Sequence, residues 1–222
     1  MTNIKDDVLS LEEQQALLEK YDPESATRKL KGIMGWVVFG GLLTFSLFQL
    51  YTAIDKPLMA QLQRSVHLGF ALGLVFLLYP ARKSMIKKGK VAWYDFILSL
   101  SGIAVGLYWP IMMEELVMRP GTITSLDFFI GVTAVLLILE ATRRTVGLPI
   151  TIIAILFIIY ALFGPYMPGF MAHRGLELET FVQTMFFTTE GILGTPLAVS
   201  STFIFLFLLF GAFLIKTGVG EY

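Results

Sequence analysis

From residue 32 onward, long apolar runs alternate with short polar connections. The runs fall at 32–53, 64–80, 91–112, 126–141, 146–165 and 196–215. A membrane-spanning helix needs about 20 apolar residues, with about 17 as a lower limit. The pattern therefore predicts six crossings, the second a tight fit. Aromatic residues sit near the ends of these runs (Trp36, Tyr51, Tyr79, Trp93, Tyr94, Tyr108 and Trp109), as interfacial belts require. Residues 1–31 read differently. Ser10 and Glu13 form a capping box, Leu11, Leu17, Leu18 and Tyr21 share one face, and Asp22-Pro23 ends the helix. This predicts a short amphipathic helix outside the bilayer. The tail is polar and acidic, so the first apolar run is expected to act as its own insertion signal.

The stretch before the last run has its own pattern. In "FVQTMFF", Phe181, Val182, Met185 and Phe186 share one side of a helix, and Gln183, Thr184 and Thr188 the other. That periodicity predicts a helix lying along the interface rather than crossing it. Glu190 and Gly191 break it, Gly194 and Thr195 form a turn, and Pro196 suits the opening of a spanning helix. The segment therefore reads as a hinge between an in-plane helix and a crossing one. A plain interhelical loop is the simpler alternative.

Composition fixes the class. The chain is 55% hydrophobic and 15% charged, with a mean hydropathy of +0.72 and 19 Phe; soluble domains carry about 25% charge. The predicted fold is all-α, a polytopic helical membrane bundle. Cysteine is absent, which excludes disulfides, thiolate metal sites and thiol nucleophiles. The basic residues are sorted. Lys5, Lys20, Arg28, Lys29 and Lys31 lie in the tail, and Arg82, Lys83, Lys87, Lys88 and Lys90 in the second connection. Arg143 and Arg144 follow the fourth run, and Lys216 the sixth. Lys56, Arg64, Arg119 and Arg174 fall on the other side. The bias predicts that both termini are cytoplasmic. It also accounts for the basic connection without nucleic acid.

Gly69 and Gly73, and Gly102 and Gly106, form small-xxx-small pairs that let helix backbones approach. Gly40 and Gly41 offer a similar strip. Ionisable groups at mid-depth would mark a functional site, but Asp95, Asp127, His67 and Glu140 all fall near helix ends, Glu140 within reach of Arg143 and Arg144. Glu114 and Glu115 follow Pro110, where the third run is expected to leave the membrane. No proton relay, metal-ligand spacing or nucleophile with a base is legible, so no enzyme, catalytic, cofactor or metal site is assigned.

Several stretches together resemble a known family: "LLEKYDPESATRKLKG", "RSVHLGFALGLVFLLYPAR", "YDFILSLSG", "LPITIIAILFIIYALFGPYMPG" and "TTEGILGTPLAVSSTFIFLFLLFGAFLIKTG". They are similar to the fused permease of tripartite ATP-independent periplasmic (TRAP) transporters, in the subgroup that joins a four-helix small component to a large one. The resemblance implies a scaffold domain at 32–145 and the start of the transport component at 146–222. It implies a bacterial inner-membrane symporter that takes up a carboxylate, such as a dicarboxylate or sialic acid, from a periplasmic binding protein of TAXI type under a sodium gradient. The family's sodium and solute sites lie in later hairpins, so they are expected beyond Tyr222, and the sequence is expected to be a piece of a longer permease, inactive alone. Lys56, Glu114, Glu115 and Arg119 are the candidates for docking the binding protein. A stand-alone membrane scaffold or assembly subunit is the alternative.

Overall fold

The computed structural model describes residues 27–55, 58–82 and 90–218, whose regular structure is all helical. Helix α1 is Ile33–Ile54, α2 Ala60–Leu78, α3 Trp93–Met118, α4 Ser125–Thr145 and α5 Leu148–Leu162. A short α6, Leu178–Val182, runs into a π-helical turn, Gln183–Phe187. The last helix, α7, is Thr195–Thr217 and carries a π segment at Ser200–Ile204. Helices α1 to α4 and α7 are long and apolar enough to cross a membrane, whereas α5 has only 15 residues. The chain is a multi-pass helical bundle. The amphipathic helix expected around Ser10 to Tyr21 and the docking candidate Lys56 lie outside the described residues.

Several boundaries differ from the sequence reading, and α4 runs on to Thr145, so Arg143 and Arg144 lie within it rather than after it. Helix α2 begins four residues early, at Ala60, and is thereby long enough to span. Helix α3 passes through Pro110 and ends at Met118, so Glu114 and Glu115 are helical rather than beyond the helix. Helix α5 is shortened at both ends. Gly147 holds a φ of 112°, closed to a side-chain-bearing residue, and Gly164-Pro165 turns the chain into a 3-10 helix.

The core is built from α2, α3 and α4. Leu68, Leu72 and Phe76 meet Val105, Tyr108, Trp109 and Leu116, and Ala134, Leu137 and Ala141 close the third side. Phe186 and Leu193, from the segment before α7, complete the same cluster. The expected interfacial helix therefore draws its burial from protein rather than lipid. Phe181, Val182 and Phe186 are buried, Trp109 donates to the Phe186 carbonyl at 3.3 Å, and Val182 and Phe187 fill the space over Gly131. Helix α1 stands at the side, burying only Val38, Gln49 and Thr52.

The antiparallel pair α2–α3 is the tightest contact, and its glycines explain why. A Cβ on Gly69 would lie 2.8 Å from the Gly106 Cα, and one on Gly102 would lie 2.7 Å from the Leu72 Cβ. Gly73 faces Ile103 across the same seam. At either end a serine hydroxyl bonds the opposite backbone: Ser65 donates to the Gly106 carbonyl at 2.7 Å and Ser99 to the Gly73 carbonyl at 2.8 Å. The first of these has a specific cause. Pro110 has no N–H to give the carbonyl four residues earlier, which is that of Gly106, and hydrocarbon offers no water in its place. Ser65→Ala should thus cost about 1–3 kcal/mol, the penalty for an unsatisfied buried acceptor. In a Pro110→Ala background the restored N–H should remove most of that cost. A double-mutant cycle by unfolding in mixed micelles measures it, and equal Ser65→Ala costs in both backgrounds would sink the explanation.

Candidate functional site: a polar grip on the last helix

Two ionic clusters fix the ends of the four-helix group. At the end holding the start of α3, Asp95 is fully buried and takes Arg28 on one oxygen and Arg144 on the other, the latter at 2.7 Å. Arg144 continues to Glu140 at 2.7 Å, and Glu140 also holds Arg143. Both buried arginines also cap the C-terminus of α2. Arg28 donates to the Leu77 carbonyl at 3.1 Å from its side chain and to that of Leu78 at 2.8 Å from its backbone, and Arg144 reaches the Tyr79 carbonyl at 3.1 Å. Those carbonyls have no partner within their own helix, and they carry the negative end of its dipole. The Phe76 ring packs under the Arg144 guanidinium, 5.0 Å from its centroid.

At the opposite end Asp127, also fully buried, caps α4 through a reciprocal box with Thr124. It accepts hydrogen bonds from the Tyr108 hydroxyl and the Arg119 guanidinium. That hydrogen bond to Asp127 raises Arg119 further above the ordinary arginine pKa. Arg119 also approaches Glu115 at 3.9 Å. Of the docking candidates, Glu114 and Glu115 are exposed, while Arg119 turns inward to hold Asp127.

A third polar group joins α1 and α2 to α7. Gln49 and His67, both buried, share a hydrogen bond of 2.5 Å through the imidazole Nδ1, and Nε2 faces the Ser200 hydroxyl at 3.4 Å. Gln49 brings its amide nitrogen to Nδ1, so Nδ1 accepts and Nε2 carries the proton. Gln63 donates to the Thr52 hydroxyl at 3.5 Å and to the Ser201 carbonyl at 3.3 Å. Thr52 donates in turn to the Gln49 carbonyl at 3.1 Å. Arg64 reaches beyond α7 to the hinge, donating to the Leu193 carbonyl at 2.6 Å. Ser200 and Ser201 open the π segment, the place where the α-helical ladder of α7 is interrupted. The Ser201 carbonyl in this segment is the one that accepts from Gln63 of α2, and such π turns often fall at functional sites.

The hinge residues are placed by close packing. A Cβ on Gly191 would lie 2.5 Å from the Met185 Cα, and one on Gly194 would lie 2.7 Å from the Gly191 carbonyl oxygen. The Ile192 N–H closes on the Met185 carbonyl at 2.7 Å, and Gly194 then opens α7 by accepting from Ala198 at 3.0 Å. Glu190 and Pro196 are exposed on this turn. Sequence reasoning placed the hinge but missed Gln49, Gln63, Ser200 and Ser201, and it left His67 without a partner. A signal existed in the polar residues facing one way on α1 and α2, but nothing in the sequence links them to α7. Among the described residues, no group of three or more His, Asp and Glu side chains is arranged to hold a metal ion. These contacts hold α7 against α1 and α2. Comparison of the chain with protein-family models, curated proteins and solved structures gives no match.

Proposed function

We propose that the chain is a membrane permease component of a secondary transporter of TRAP type. In this reading residues 32–145 are the scaffold and residues 146–222 begin the transport component. The carried solute is a carboxylate handed over by a periplasmic binding protein of TAXI type, with sodium coupling, in a bacterial inner membrane with both termini cytoplasmic. The observation that carries the reading is the contrast within the bundle. Helices α3 and α4 are tied together at both ends by ion pairs, and the C-terminal carbonyls of α2 are held by Arg28 and Arg144, whereas α7 meets the bundle through single polar contacts at a π segment beside a glycine hinge. A fixed brace against a hinged helix is what alternating access needs. Glu114 and Glu115 remain the exposed candidates for docking the binding protein.

Right-side-out vesicles from native membranes provide the test, with added binding protein and a panel of radiolabelled carboxylates. Uptake should require an inward sodium gradient and vanish when the gene is deleted. Arg64→Met should leave the amount of protein unchanged and slow that uptake, because the hinge loses its hold at Leu193. Unchanged uptake after deletion would overturn the transporter reading and favour a scaffold or assembly subunit.

A further inference from the structure

Helix α5 poses a geometric problem that the loop after it answers. Fifteen residues rise about 22 Å, while the hydrocarbon layer is about 30 Å thick. A chain that crosses on α5 therefore leaves the helix, at Leu162, before it has left the membrane. Backbone beyond that point must satisfy its own donors and acceptors. Residues 163–176 do so to an unusual degree for a connection. Tyr166, Met167, Met171 and Ala172 donate within two 3-10 turns, His173 to the Gly164 carbonyl and Leu176 back to that of Ala161 at 2.9 Å.

The His173 side chain staples the loop to the end of α5. Its Nδ1 accepts from the Gly175 N–H at 3.0 Å, so Nε2 bears the proton it donates to the Tyr160 carbonyl at 2.9 Å. The Tyr160 hydroxyl closes the ring of contacts on the Met171 carbonyl at 3.1 Å. While the polar groups turn inward, the large apolar ones turn outward. Phe170 is 99% exposed and Tyr166 85%, with Phe163 and Met171 beside them. Arg174, Glu177 and Thr180 line a polar cleft where the loop meets α6.

We propose that this loop is a membrane-interface anchor, with Phe170 and Tyr166 seated in the lipid headgroup layer so that loop and α5 together complete a crossing. The partner is the bilayer surface. An internally bonded backbone with outward aromatics, continuous with a helix too short to span, matches the interfacial environment. The inference requires only that α5 crosses, and it stands or falls separately from the transporter reading.

The absence of cysteine makes the test direct. Phe170→Cys and Tyr166→Cys are labelled with a nitroxide in the full chain reconstituted into phosphatidylethanolamine–phosphatidylglycerol vesicles. Collision with oxygen, which partitions into lipid, is compared with collision with a water-soluble nickel chelate. Thr122→Cys, in an exposed turn, is the aqueous reference, and Phe207→Cys, on the exposed face of α7, the lipid one. Both loop labels should give an oxygen-to-nickel ratio shifted from the Thr122 value towards the Phe207 value. Adding His173→Ala should move the Phe170 label back towards the aqueous reference. A ratio equal to the Thr122 value would overturn the proposal. So would low collision with both reagents, which would mean that protein covers the aromatics.

Discussion

Asp95→Leu is expected to destabilise the bundle by about 3–5 kcal/mol, the usual effect of removing one partner from a buried ion pair. The fold gives the reason. Asp95 is the common anion of Arg28 and Arg144, both essentially without solvent, and its loss leaves two guanidinium groups facing one another across the end of α2. Glu140 can answer only Arg144. The carbonyls of Leu77 and Tyr79 still accept from the two arginines, but as neutral acceptors they do not replace the missing charge. Arg143→Met is the comparison. Its partner Glu140 keeps Arg144, and its side chain is 34% exposed, so a change of no more than about 1 kcal/mol is expected. Removing Arg28 together with Asp95 should recover part of the loss, since an apolar replacement of a whole buried pair is often tolerated. Unfolding in mixed detergent micelles reads all three variants. An Asp95→Leu midpoint equal to that of the parent would refute the ionic clamp.

How much of this was legible in sequence depends on whether the determinant is local. Hydropathy placed five of the six expected spans at crossing length, because a bilayer asks each segment the same question independently. The Thr124–Asp127 box lies within one turn, and Glu140 with Arg143 and Arg144 within another, so spacing alone could pair the latter. The glycine pairs flagged close packing, and the geometry extends their line to Ser65, four residues before Gly69. Asp95 read as an interface anchor because its partners are 67 and 49 residues away. The grip on α7 is more remote still: Gln63 and Ser201 are 138 residues apart. The apolar side of 181–187 was visible, but a helix periodicity shows only that a face is buried. Gly131, which admits Val182 and Phe187, decides that protein covers it.

Gly106→Ala is expected to be among the most damaging substitutions at the described glycines. Its Cβ would lie 2.7 Å from the Gly69 nitrogen and 2.9 Å from the Ser65 carbonyl oxygen, and closer still to the Gly69 Cα. These are backbone atoms of a facing helix, so no rotamer change relieves the overlap and α2 must move away from α3. Overpacking of this kind costs about 1–3 kcal/mol, and separation also lengthens the Ser65 hydrogen bond on which the Gly106 carbonyl depends. Gly40→Ala, on α1, is the matched control. Nothing lies within 4 Å of its Cβ position, and alanine favours helix over glycine by up to about 1 kcal/mol. The same substitution should therefore be harmful on one membrane helix and neutral or stabilising on another. Thermal denaturation of the two purified variants separates the cases, and equal midpoints would mean that the glycine seam does not set the α2–α3 distance. Because Gln63, Arg64 and His67 ride on α2, a wedge at Gly106 should also withdraw them from Ser201, Leu193 and Ser200, loosening α7 without touching it.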